Sequence, residues 1–94
     1  MMKYRIDYTS NFKRQYKKIK KQGKDLDKLH NVIKTLASGK ELEEKYRNHE
    51  LTNDKKYKNC KECHIEPDWL LVYRIINNEL ILLLVGTGSH SEIF

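Results

Sequence analysis

Four histidines and two cysteines are the reactive side chains that stand out in this 94-residue chain: His30, His49, His64 and His90, with Cys60 and Cys63. The segment NCKECHIEPDW, residues 59–69, holds three of them and supports three readings. Cys60-x-x-Cys63-His64 has the spacing that attaches haem in c-type cytochromes. With one more histidine, the same residues offer a zinc ligand set. In the third reading His64 and Asp68 are acid–base groups flanking a turn, and the cysteines are incidental.

The haem reading requires export, and the N-terminal residues MMKYRIDYTSNFKRQYKK lack the apolar stretch of a secretory signal. The longest apolar runs, Trp69–Tyr73 and Leu80–Val85, are far too short to span a bilayer. The expected location is therefore the cytoplasm, with no membrane partner and with reduced thiols. The zinc reading lacks its second half, because the chain has no third cysteine. In a strand, Cys63 and His64 would also point to opposite faces. The expectation is thus no metal and no cofactor.

Imidazoles both accept and release protons near neutral pH. Cleavage of RNA needs that pair of roles. The ribose 2′-OH is the nucleophile, a base removes its proton, an acid protonates the 5′-oxygen leaving group, and cations stabilise the crowded phosphate. His30, beside Leu29 on a helix, is read as a surface residue. The net charge of +6 is uneven: residues 1–47 carry 14 Lys/Arg against 6 Asp/Glu, and residues 48–94 carry 5 against 7. A basic half suits a polyanion such as nucleic acid.

The length allows one domain, residues 1–94. Tyr4, Ile6 and Tyr8 alternate, which predicts a strand over residues 3–8. Thr9 or Ser10 is placed to cap a helix bearing Phe12, Tyr16 and Ile19, which Gly23 breaks. Asp25 precedes a second stripe of Leu26, Leu29, Ile33 and Leu36, stopped at Gly39. Residues 40–58 read as a loop with one helical turn. Strands are predicted over 58–66, 69–76 and 79–85, joined by turns at Glu66-Pro67-Asp68-Trp69 and Asn77-Asn78. The last strand is apolar on both faces and should be central; Gly86-Thr87-Gly88-Ser89 ends it and HSEIF is a tail. The order is β-α-α-β-β-β, an α+β fold with a mainly antiparallel sheet packed against an N-terminal helical hairpin. In it His64, Asp68 and His90 share one edge of the sheet. The sequence does not show whether His49 reaches them.

CHIEPDWLLVYRI, preceded by NHEL and followed by GTGSHSEIF, closely resembles the YafQ-type branch of the RelE/ParE toxin superfamily. The resemblance spans nearly the whole chain and rests on several separately spaced motifs. It implies a RelE-like fold and a ribosome-dependent mRNA endoribonuclease, the toxin of a type II toxin–antitoxin pair. The implied partners are an acidic antitoxin, the ribosome with mRNA in its A site, and operator DNA through the antitoxin complex. It places the active positions on His49, His64, Asp68 and His90, with His90 as proton donor, and has Trp69 and Phe94 hold RNA. Lys61 stands where relatives often have Arg, keeping the charge but losing the planar fork. Arg74 is a candidate cation for the phosphate. Cys60 and Cys63 match no catalytic position. The alternative is a non-catalytic ParE-like toxin acting by protein binding.

Overall fold

The computed structural model describes residues 2–51 and 54–94; Thr52 and Asn53, inside the expected loop, lie outside the described residues. The first strand, β1 (Arg5–Tyr8), starts later than expected, because the Lys3 and Tyr4 N–H groups donate instead to Ala37 O, at 2.8 and 2.9 Å. Thr9 then caps α1 (Ser10–Lys21): its hydroxyl accepts from Phe12 N at 3.0 Å. Asp25 caps α2 (Leu26–Ala37) by accepting from Asp27 N at 3.1 Å. Gly23 and Gly39 follow the two helices at φ of +77° and +78°, a left-handed conformation that glycine adopts without a Cβ penalty.

The expected helical turn is a short 3-10 turn, Glu44–Tyr46. A two-residue strand within the segment expected to be a loop follows it, β2 (His49–Glu50). Then come β3 (Lys61–Glu66), β4 (Trp69–Ile76), β5 (Ile81–Gly88) and a last helix, α3 (His90–Ile93). The sheet order is β1-β5-β4-β3-β2, with β1 parallel to β5 and the remaining pairs antiparallel. The expected antiparallel bias and the inner position of the last strand are both present.

Three boundaries differ from expectation, each for a local reason. Residues 58–60 are not strand, because the Asp54 carboxylate accepts from Lys56 N (2.9 Å) and Tyr57 N (3.2 Å) and winds the chain into a turn. The β4–β5 connection takes four residues rather than Asn77-Asn78 alone, since Leu80 adopts φ +53°. At its far end β5 continues through Gly86-Thr87-Gly88. The register shifts opposite Val72 and Tyr73 and leaves Val85 as an extra residue, a β-bulge. The Val85 carbonyl turns to α1, accepting from Thr9 Oγ1 at 3.1 Å and Asn11 Nδ2 at 3.0 Å. Gly86 is required there: a Cβ would stand 2.8 Å from Gln15 Oε1, the atom that accepts from Thr87 N at 2.9 Å.

The sheet has two unequal cores. On one face α1 and α2 lay Phe12, Ile19, Leu29, Val32, Ile33, Leu36 and Ala37 against Cys63, Ile65, Trp69, Leu71, Tyr73, Leu82 and Leu84. Fully burying each large apolar side chain contributes about 1.5–3 kcal/mol, so this face dominates stability. The other face holds a small cluster of Tyr57, Cys60, Leu70, Val72 and Ile93. Among the described residues Tyr57, Cys60 and Ile93 of α3 cover it, and polar groups stand beside it.

Candidate active site

Side chains alternate along β3. Cys63 and Ile65 enter the helix-side core, so Glu62 and His64 point to the opposite face. His49 on β2 pairs with Glu62 across the antiparallel ladder and therefore lies on that same face. The His49 and His64 rings stand 6.3 Å apart between centroids. His49 Nδ1 donates to Arg47 O at 2.7 Å and His64 Nδ1 to Pro67 O at 3.2 Å, since a carbonyl can only accept. Those two bonds fix both ring orientations and turn both Nε2 atoms toward Glu62 Oε1, each at 3.6 Å. Behind them, Tyr73 Oη donates to Asn48 Oδ1 at 2.6 Å and ties down the segment carrying His49. Burial pushes the Tyr73 phenol well above its ordinary value, which keeps it a neutral donor.

The second half of the site comes from the β3–β4 turn and α3. Pro67-Asp68 makes the turn, and Asp68 Oδ1 accepts from the backbone N–H of His90 at 3.3 Å. Ser89 and Glu92 form a capping box that starts α3: Glu92 N donates to Ser89 Oγ and Ser89 N to Glu92 Oε1 at 2.9 Å. Glu92 also pairs with Lys18 Nζ at 3.0 Å and accepts from Gln22 Nε2 at 3.1 Å, so α1 holds α3 from outside. Ile93 is buried, and its carbonyl accepts from Tyr57 Oη at 3.0 Å and Lys56 Nζ at 3.3 Å. Phe94, 45% exposed, packs against the His90 ring (4.9 Å between centroids) and meets the Tyr57 ring edge to face (5.4 Å).

The structure therefore brings His64, Asp68 and His90 round one hairpin turn, with His49 beside His64. Phe94 sits against His90. Arg74 is exposed and follows helix-facing Tyr73, so it lies on the site's face, close enough to Cys60 to act on its thiol. Lys61 does not join the cluster: strand alternation puts it with Cys63, on the face opposite His64. Trp69 is the clear correction. It is fully buried, with Nε1 donating to Thr87 Oγ1 at 3.0 Å, and Thr87 Oγ1 donates on to Leu70 O at 2.9 Å. Its indole fills the helix-side core and offers RNA no face.

Cys60 and Cys63 fall in separate cores on opposite faces of the sheet, so Cys-x-x-Cys forms no ligand half-site. Burial, with the Glu62 charge adding to it, pushes the Cys63 thiol up to about 12, and burial also raises Cys60 against the effect of Arg74. Neither is poised as a thiolate.

Sequence reasoning passed over three contributors. Glu62 is a buried carboxylate between two imidazoles, visible in the sequence only as a charged residue two positions before His64. Arg47 positions His49 through its carbonyl, at a φ of +47°. It also borders, with Lys28, Lys45, Tyr46 and His64, a hollow of about 460 Å³ beside the turn. Ser89-x-x-Glu92 is a capping-box spacing that could have announced α3.

Two imidazoles facing a carboxylate, a third histidine tethered to Asp68, and a basic hollow alongside form a proton-transfer site open to an anionic substrate. The comparisons agree with that class. The model of the YafQ family, bacterial toxins of type II toxin–antitoxin systems, matches residues 4–94. The chain is 30% identical to an mRNA interferase toxin YafQ of Escherichia coli, over all of this chain and 99% of that one. Among solved structures, a metal-bound toxin from Helicobacter pylori superposes with a TM-score of 0.88 at 40% identity, covering both chains fully. The E. coli DinJ–YafQ complex gives 0.86 at 29% identity, covering 97% of this chain and 98% of that one. The chain belongs to the YafQ family of type II toxins.

Proposed function

We propose that this protein is a ribosome-dependent mRNA endoribonuclease that cleaves through the ribose 2′-OH. The observation that carries the reading is that Asp68, in the turn after His64, accepts the His90 N–H at 3.3 Å, while His49 stands 6.3 Å from His64. His49 or His64, each with Nδ1 bound to a carbonyl, has Nε2, 3.6 Å from Glu62 Oε1, as the atom that takes the 2′-OH proton. His90, at the exposed start of α3, is the acid that protonates the 5′-oxygen. Asp68 holds α3 in place through the His90 N–H. Arg47, Lys45 and Arg74 supply positive charge for the phosphate, and Phe94, 45% exposed, is the ring for a base to stack on.

The lysine-rich hairpin suits ribosomal RNA, whose phosphates would fix the toxin over mRNA in the A site. This reading puts the protein in the cytoplasm; among the described residues, no helix is long and apolar enough to cross a membrane. The partner is an acidic antitoxin, as the DinJ–YafQ pairing of a relative suggests, with operator DNA reached through the antitoxin complex. A hollow of about 510 Å³ suits such a partner: Ile6, Tyr8, Phe12, Tyr16 and Leu84 line it, and Lys13, Lys17 and Lys20 rim it. Beside it β1 is the end strand of the sheet, with backbone groups open to a further strand.

The test is cleavage of mRNA on purified ribosomes. His90→Ala is expected to reduce the rate by about 10²–10⁴-fold, the contribution of a positioned acid. Equal cleavage by the variant would move the acid elsewhere. No mRNA breaks from the parent, with DNA damage on expression, would favour the protein-binding ParE-like alternative.

A further inference from the structure

We infer that a polar stripe along α1, formed by Asn11, Gln15, Lys18 and Gln22, positions the acid His90, and that Lys18 and Gln22 act on it through Glu92. The inference rests on the reading of the site as an RNA-cleaving one.

Spacings of four, three and four put these side chains on one side of the helix. Asn11 Nδ2 donates to Val85 O at 3.0 Å, and Gln15 Oε1 accepts from Thr87 N at 2.9 Å. Lys18 Nζ pairs with Glu92 Oε2 at 3.0 Å, and Gln22 Nε2 donates to the same oxygen at 3.1 Å. Stripe residues and their partners rise together in number, so α1 lies alongside the run from the bulge to α3. The sheet explains why. β1 pairs with β5 as far as Tyr8 and Leu84. Past that pair α1 follows the ended strand, and its side chains satisfy the backbone groups of Val85 and Thr87. Gln15 is buried along with Phe12 and Ile19, a polar group that this face of α1 tolerates because Thr87 N meets it.

At its far end the stripe reaches the acid. α3 spans four residues, too few to hold a direction by their own hydrogen bonds. Asp68 fixes one point, the His90 N–H. Glu92 is a second point. At about 3.6 residues per turn, side chains two positions apart leave a helix about 200° from each other. Holding Glu92 on α1 therefore turns His90 away from α1, on the face it shares with Phe94, 4.9 Å off between ring centroids. The other Glu92 oxygen accepts from Ser89 N at 2.9 Å, so one carboxylate both starts α3 and anchors it. The Lys18 side chain is 62% exposed, and ion pairs at the surface contribute little to global stability. Losing this one leaves the fold standing and lets the acid turn.

The experiment compares Lys18→Met, Lys18→Arg and Glu92→Gln with the parent, each first checked for a parental thermal unfolding midpoint. On ribosome-bound mRNA, Lys18→Met is expected to lower kcat by about ten- to a hundredfold with KM nearly unchanged, the cost of a misplaced group. Lys18→Arg keeps the pair and is expected to recover most of that loss. Adding Lys18→Met to Glu92→Gln is expected to cost little beyond Glu92→Gln alone, because both remove one contact. The ring signals of His90 and Phe94, recorded by NMR without RNA, are expected to move in Lys18→Met, and those of His49 and His64 to stay in place. Parental kcat in Lys18→Met, a change confined to KM, additive losses in the double variant, or unmoved His90 and Phe94 signals would each overturn the inference. A change in KM alone would assign Lys18 to RNA binding. If the parent cleaves no mRNA, the cleavage reading fails, while the ring signals still decide whether the stripe orients α3.

Discussion

Asp68 Oδ1 accepts the backbone N–H of His90 at 3.3 Å, so a carboxylate in the β3–β4 turn holds the first residue of α3. The first turn of a helix leaves its N–H groups without intrahelical partners and favours negative charge. Asp68 meets both needs from another part of the chain. Asp68→Asn keeps the acceptor oxygen, whereas Asp68→Ala removes it. The alanine variant is therefore expected to lose more cleavage than the asparagine variant, and to lose amide protection at residues 90–94. Equal losses would mean that the charge of Asp68, not its grip on α3, is what cleavage needs.

Trp69 belongs to the core, and its variants should show it in stability before activity. Trp69→Ala is expected to cost about 3–5 kcal/mol. Trp69→Phe keeps an aromatic ring but strips Thr87 Oγ1 of its indole donor, for about 1–3 kcal/mol. Denaturant unfolding measures both. A Trp69→Ala chain with parental stability and weakened RNA binding would return the indole to the RNA surface.

Acid should loosen α3 through Glu92. The Ser89 backbone N–H, then Lys18, the Ser89 hydroxyl and Gln22, hold its carboxyl down to about 2 from an ordinary 4.5. A carboxylate lowered on folding stabilises the native state fully above its unfolded value and loses that contribution as pH falls through its folded value. The Tyr57–Phe94 ring contact, followed by NMR, is expected to persist above about pH 4.5 and to weaken toward pH 2. In Glu92→Gln the contact should already be weaker at neutral pH and lack that acid step. An unchanged acid step in the variant would place the latch in another group.

Binding of an acidic partner along α1 should depend on salt. Replacing Lys13, Lys17 and Lys20 with Glu is expected to weaken the complex and flatten its ionic-strength dependence. Calorimetric titration with a purified antitoxin gives both quantities. Salt-insensitive affinity in the parent would assign the interface to the apolar floor of Ile6, Tyr8 and Phe12.

The helices were legible because caps, stripes and glycines agree: Thr9, Asp25, Gly23 and Gly39 all act as their positions suggest. The meeting of His64, Asp68 and His90 was legible too, from the return of an antiparallel strand to its own turn. Less accessible were features set by residues far apart in sequence. The β-bulge at Val85 depends on Thr9 and Asn11, more than seventy positions earlier. Trp69 sits at the start of an apolar strand beside a turn, where alternation alone does not say which face is covered; the helices decide it. Glu62 is not legible in the sequence because the two histidines beside it lie on different strands. β2 escaped notice because two residues carry no period, although their pairing with β3 is what brings His49 in.

The parallel pairing of β1 with β5 joins Arg5 to Ile81 and Tyr8 to Leu84. During synthesis, β1 must wait for residues 81–84 before its neighbour in the described sheet exists, and contacts of such long sequence separation form slowly. The residues that follow β5 are those that bring His90 and Phe94 to the site. His90 and Phe94 are therefore set in place only once β5 has paired with β1 and β4. The proposed cleavage site is thus the last part of the fold to be completed, and its assembly waits on the slowest pairing in the sheet.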